Sequence, residues 1–140
     1  MPNTPPNLVA SGNIRPFRFV KMSGNFTGAE ADANDPIIGV AYPGTDYPPV
    51  VDDRVTVGEF AAIAGEVISI LGDGEQGLVE LAETVTAGKR VKSDADGLAV
   101  AVLLTGTTRQ EYGAILLEGG DAGDRVRCYV QLGVFLPAAA

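Results

Sequence analysis

Histidine and tryptophan are absent from this chain, cysteine occurs once, and aromatic residues make up only 6% of it. The missing histidines remove the usual general base near neutral pH and the commonest metal ligand. A single cysteine, Cys128, excludes an internal disulfide and a multi-thiolate zinc site. Cations are also scarce: 10 Lys and Arg stand against 18 Asp and Glu, for a net charge of −8. Nucleic-acid binders gain affinity by displacing counterions with Lys and Arg, so this balance points away from nucleic acid. No apolar run approaches the ~18 residues that cross a bilayer, and no membrane partner is expected. The first residues lack the basic and apolar regions of a secretory signal, so a soluble protein made in the cytoplasm is expected.

What the chain does hold is small and apolar. Hydrophobic residues reach 46%, and 18 Gly with 9 Pro interrupt them too often for long helices. Such a composition favours short strands and tight turns. A length of 140 residues suits one domain, which buries roughly two-thirds of its unfolded surface.

The clearest periodicity lies near the end. Val126, Cys128, Val130 and Leu132 alternate with Arg127, Tyr129 and Gln131, as in a strand with one wet face. On the apolar face of that strand, Cys128 reads as a core thiol and not a nucleophile. Gly119, Gly120 and Gly123 with Asp121 and Asp124 supply the turn before it. Residues 90–93 and 98–104 flank Asp94-Ala95-Asp96-Gly97, a strong hairpin signal. A further hairpin is expected from residues 67–71 and 78–81 around the Gly72–Gly77 turn. Ala-Gly and a charged residue precede a strand three times, at Ala64-Gly65-Glu66, Ala87-Gly88-Lys89 and Ala122-Gly123-Asp124. Their unequal spacing excludes a solenoid and indicates one corner reused in a compact all-β barrel or sandwich.

The first half is less regular. Residues 1–12 are rich in Pro, Asn and Ser and favour extended backbone, with Leu8 and Val9 as the available anchors. Residues 17–22 read as a strand whose alternation slips at Val20 and Lys21. A polar, glycine-containing stretch, 23–35, reads as a loop. Ile37–Tyr42 is apolar on both faces and reads as a buried strand. Residues 43–53 hold three prolines and read as a surface excursion. Residues 55–64 fit either a strand or one to two helical turns, and residues 135–140 form a frayed or docked tail. Charge is uneven: residues 1–28 carry Arg15, Arg18 and Lys21 with no acid, giving +3 and leaving −11 on the rest. That basic segment fits either electrostatic docking on a neighbour or three solvated charges on an ordinary strand.

Chemistry is sparse. The carboxylates fall in turns, as Asp52-Asp53, Asp73 with Glu75, Asp94 with Asp96, and Asp121 with Asp124, where they read as solvated and lack the burial and partner that acid–base work needs. Asp94-Ala95-Asp96-Gly97 lacks the closing glutamate of a calcium loop, since that position holds Thr105. The Gly72–Gly77 turn has no Gly-Lys-Ser/Thr ending for phosphate. No metal, cofactor or catalytic residue is expected, and the chain reads as a non-enzyme.

The order I-I-G-V-A-Y-P-G-T, A-G-E-V-I-S-I-L-G-D-G-E-Q-G-L-V-E-L, V-T-A-G-K-R-V-K-S-D-A-D-G-L-A-V-A and Y-G-A-I-L-L-E-G-G-D-A-G-D-R-V-R-C-Y-V runs through a stretch of about residues 37–132. In that order it resembles the head decoration, or capsid cement, proteins of tailed bacteriophages. The resemblance implies a compact β-rich body on the outer surface of the phage head, often as a homotrimer. It implies a structural role, without catalysis, in stabilising contacts between major capsid protein subunits. It also implies an extended N-terminal arm, here residues 1–24, on a single body of residues 25–140. Leu8, Val9, Ile14, Arg15, Phe17, Arg18 and Lys21 are the capsid or subunit contacts expected in that arm, from apolarity, aromaticity and charge. Two other classes compete. A receptor- or glycan-binding β-module calls for exposed aromatics, whereas Tyr42, Tyr47, Tyr112 and Tyr129 are scattered in sequence. An enzyme of β-clip type calls for an acid–base constellation outside the turns.

Overall fold

The computed structural model describes residues 8–42, 61–104 and 109–136. These residues form eleven strands and no helix, so the protein is all-β. The first six strands are β1 (Leu8–Ala10), β2 (Phe19–Gly24), β3 (Thr27–Glu30), β4 (Gly39–Ala41), β5 (Val67–Ile68) and β6 (Ile70–Leu71). They make one sheet in the order β5-β1-β3-β2-β4-β6. Its two edge strands, β5 and β6, are separated in sequence by Ser69 alone. The sheet therefore curls until its edges meet on one short segment, an almost closed barrel.

The second sheet holds β7 (Gln76–Glu80), β8 (Arg90–Ser93), β9 (Ala99–Ala101), β10 (Gln110–Leu116) and β11 (Arg125–Phe135). Its order is β7-β11-β10-β8-β9, with every neighbouring pair antiparallel. Just beyond β7, Leu81 bridges in parallel to Ala99, and the Ala82 N–H donates to the Ala99 carbonyl at 2.9 Å. The second sheet thus also draws its edges together.

Two apolar cores result. One gathers Val79, Leu81, Val91, Leu116, Val126, Cys128 and Val130 from the second sheet with Phe19, Ala31, Ile37 and Val40 from the first. The other fills the curled first sheet with Leu8, Ala10, Ile14, Val20, Ala41, Ala62, Ile68 and Ile70. Successive strand residues point to opposite faces, so Phe19 and Val20 enter different cores, as do Val40 and Ala41. This explains the broken alternation at Val20 and the two-sided apolarity of residues 37–42.

The reused corner is real. At Ile63–Glu66 and Asp121–Asp124 the fourth N–H donates to the first carbonyl, at 2.9 and 3.0 Å. Gly65 and Gly123 sit third in these turns with φ of 91° and 88°, the type II geometry that a side chain strains. The next acid reaches back: the Ile63 N–H donates to Glu66 Oε1 at 2.8 Å, and the Asp121 N–H to Asp124 Oδ2 at 2.9 Å. Lys89 has no carboxylate to do this at the third corner, although Gly88 keeps a φ of 86°.

Three sequence expectations need correction. Residues 23–35 contain β3, which pairs with β2 and, in parallel, with β1. Its core-facing position is Gly28, where a Cβ would crowd Ile68 and Val20, so no apolar pattern marks the strand. Residues 67–71 and 78–81 are not a hairpin. β5 and β6 pair with β1 and β4 while β7 pairs with β11, so the Gly72–Glu75 turn carries the chain from one sheet to the other. The stretch 8–24, expected as part of an extended arm, is built into the first sheet and its core from Leu8 onward. Residues 1–7 and 43–60, including the proline-rich excursion and most of the ambiguous stretch, lie outside the described residues, as do Thr105 and residues 137–140.

Closure of the barrel tolerates no side chain at Gly39, where a Cβ would run into the Leu71 carbonyl and the Ile70 side chain. Gly39→Ala is expected to cost roughly 2–3 kcal/mol in urea unfolding, the range of overpacked cores. Gly12→Ala, which meets nothing within 4 Å, is the control and should change stability by less than about 0.5 kcal/mol.

Candidate contact surface

The seven residues expected as contacts divide sharply in the fold. Leu8 (1% exposed) and Ile14 (0%) lie in the barrel core. Phe17 and Arg18 are also buried, but at the junction of the two sheets. The Phe17 N–H donates to the Ala41 carbonyl at 2.8 Å, and its carbonyl accepts the Glu80 N–H at 2.9 Å. Phe17 holds this bridging position with φ of 64°, a left-handed conformation that costs a bulky residue about 1 kcal/mol or more. Its ring meets Tyr42 edge-on at 6.0 Å, and the Arg125 guanidinium covers it at 4.7 Å.

Arg18 ties the same junction electrostatically. Its Nη2 meets Glu80 Oε2 at 3.3 Å, and its Nη1 donates to the Asp96 carbonyl at 3.0 Å. Glu80 is shared with Arg125, whose Nε lies 3.4 Å from Oε1. Arg18 and Glu80 are largely desolvated, so removing one of them leaves a poorly solvated charge behind.

The remaining cations of the segment are neutralised from within the chain. Arg15 grips Glu30 in a fork, through Nε at 3.0 Å and Nη2 at 2.9 Å, and its backbone N–H adds a third bond to Glu30 at 2.7 Å. The hydrogen bond from Glu30 raises the Arg15 pKa despite some loss of solvation. Lys21 Nζ lies 3.0 Å from both Asp32 and Asp35, and those hydrogen bonds raise its pKa. Burial pushes Asp35 up, but the Asp32 N–H and the Lys21 ammonium reverse this and hold it below the usual carboxylate value. The +3 of the N-terminal stretch is therefore paired inside the fold.

Val9 is the exception. It points outward from β1 at 38% exposure, directly opposite Val67 of β5 at 64%. Cross-strand partners share a face, so the two valines make one apolar patch. The Val9 N–H donates to the Phe26 carbonyl at 2.9 Å, which sets the tip of the β2–β3 turn beside it. There Phe26 is 78% exposed and held at φ of 56°. An exposed, left-handed phenylalanine adds strain and buries little, which makes it a candidate for use by a partner. Three hydroxyls border the patch: Ser11 Oγ and Ser23 Oγ are 2.8 Å apart, and Ser23 donates to Thr27 Oγ1 at 3.2 Å. Charge and aromaticity in the sequence missed Val67, which lies far along the chain, and gave no reason to choose Phe26 over Phe17.

Among the described residues no group of His, Cys, Asp and Glu is arranged to hold a metal ion. Burial pushes the Cys128 thiol up to about 11, offset in part by the Gly77 N–H. At pH 8 a thiol reagent is therefore expected to label Cys128 only as fast as the native protein opens, a rate that matches global unfolding as urea is raised. Arg18→Met is expected to lower urea stability by about 2 kcal/mol, because Glu80 keeps its burial and loses its main partner. The chain matches no protein-family model and no curated protein sequence.

Proposed function

We propose that this protein is a structural component of a virion, a decoration protein that binds the outside of a phage head and ties major capsid protein subunits together. The observation that carries this reading is the exposed Val9–Val67 pair beside the strained Phe26, on a barrel whose own charges are internally paired. An apolar patch rimmed by hydroxyls fits a site that must lie flat on another protein. Each copy need bind only weakly, because many copies on one lattice hold it together. A homotrimer at local three-fold positions is the assembly this reading favours. Supporting it further are the order and spacing of the turn-to-strand phrases over about residues 37–132.

Co-sedimentation with expanded empty capsids, read beside the solution mass from light scattering, tests the proposal. Saturable binding at a fixed number of copies per capsid subunit is the expected result; protein that stays in the supernatant at every concentration would sink it. Phe26→Gly should relieve the left-handed strain and raise stability by up to about 1 kcal/mol. The same change, or Val67→Glu, should reduce capsid occupancy at least ~10-fold if these side chains are interface anchors. Wild-type occupancy in both variants would remove the patch from the mechanism.

A further inference from the structure

The outer face of the second sheet carries a different chemistry from the valine patch. On β11 the outward residues are Arg125, Arg127 and Tyr129, and on β8 they are Arg90 and Lys92. Four of the chain's ten cations thus share one sheet face of a protein with net charge −8. Three are engaged. Arg125 meets Glu80, Arg90 lies 5.4 Å above the Tyr112 ring, and Lys92 Nζ donates to Asn34 Oδ1 at 3.1 Å. The guanidinium of Arg127 has no ion-pair or hydrogen-bond partner among the described residues; its backbone N–H donates to Glu118 Oε1 at 2.9 Å and its carbonyl accepts the Leu117 N–H at 2.9 Å.

Arg127 also borders an open groove of about 340 Å³, whose other walls are Gln76, Gly77, Leu78 and Leu117. Leu117 is 49% exposed there. Leu78 and Leu117 flank Arg127 in one cross-strand row, so the groove lies on the outer face of the sheet beside β7, which ends the strand order and has β11 as its only strand partner among the described residues. The Leu81 N–H donates to the Asp124 carbonyl and the Leu81 carbonyl accepts the Gly123 N–H, so alternate residues of β7 turn their backbone groups toward β11 and the others turn away. Glu80, one of those turned away, gives its N–H to Phe17; the same side of Gln76 and Leu78 is the open length of that edge.

From the unpaired Arg127, the leucine walls and the open edge of β7, we propose that this groove binds an extended acidic segment of a partner protein. The segment adds as a strand along Gln76–Leu78. One of its carboxylates reaches over Leu78 to Arg127, in the two-point geometry that guanidinium and carboxylate share, while an apolar side chain two positions along the segment, on the same face, packs beside Leu78. Charge complementarity selects the occupant. Arg127 attracts a carboxylate, and a basic segment would be repelled by it and by Arg90 and Lys92 on the same face.

The site is separate from the valine patch, and its test needs no capsid, so either proposal can fail without the other. The probe is a fluorescein-labelled hexapeptide, Thr-Glu-Thr-Val-Thr-Glu, which sets glutamate and valine on one face of a strand, read by anisotropy against the full chain. Binding that weakens as salt rises is expected, with amide shifts centred on Gln76–Leu78, Leu117 and Arg127 in nitrogen-15 spectra. Arg127→Glu should weaken binding at least ~10-fold and Arg127→Lys far less, because lysine keeps the charge and loses the fork. The Arg127 side chain has no partner among the described residues, and an unchanged melting curve confirms that each variant is folded. Equal affinity for a lysine–valine hexapeptide, no binding at millimolar peptide, or an unaltered Arg127→Glu affinity would each overturn the proposal. So would binding of an acidic oligosaccharide at this groove with none of the glutamate peptide.

Discussion

Everything in this fold depends on two strands being buried on both faces. β2 and β4 lie where the barrel meets the second sheet, and each sends consecutive residues into different cores. Polar residues cannot be spared to such strands, so Phe19-Val20 and Val40-Ala41 are apolar without alternation. The polar work is displaced to the ends of β2. Phe17 bridges the sheets with its backbone, and Arg18 bridges them through Glu80 and the Asp96 carbonyl. An arginine in that position gives the junction direction as well as attraction, since its two terminal nitrogens reach different elements.

The second half of the fold was legible because it obeys local rules. β11 shows strict alternation, the Asp94–Gly97 turn joins β8 to β9 as its residues dictate, and the Ala-Gly corners take the turn geometry glycine permits. The first half was harder for a physical reason. Its strands are two to six residues long, and their partners come from across the sequence: β1 pairs with β3 and with β5. Such pairing leaves little local trace. β3 is the extreme case, because the space under it is filled by Ile68, Val20 and Leu8, and its own contribution is the missing side chain of Gly28.

The contact surface was less legible than the fold. Arg15, Arg18 and Lys21 look like free charges when only their neighbours in sequence are visible. Their acids, Glu30, Glu80, Asp32 and Asp35, lie 11 to 62 residues from them. Apolar exposure is equally silent in a sequence: Val67 and Ile68 are similar side chains, and only the register with β1 turns one outward and the other in. Tyr112 and Tyr129, distant in sequence, flank Ile115 on one sheet face for the same reason.

Ser69 gives the barrel an unusual mechanical property. The residue on one side of it completes the sheet against β1, the residue on the other completes it against β4, and the Ser69 carbonyl itself accepts the Tyr42 N–H at 2.8 Å. A short run of chain thus acts as a clasp that holds both lips of the sheet. Neither lip can peel away alone without pulling on the other, so fraying, which ordinarily starts at a free edge, has no place to begin here. A barrel clasped in this way opens all at once or not at all.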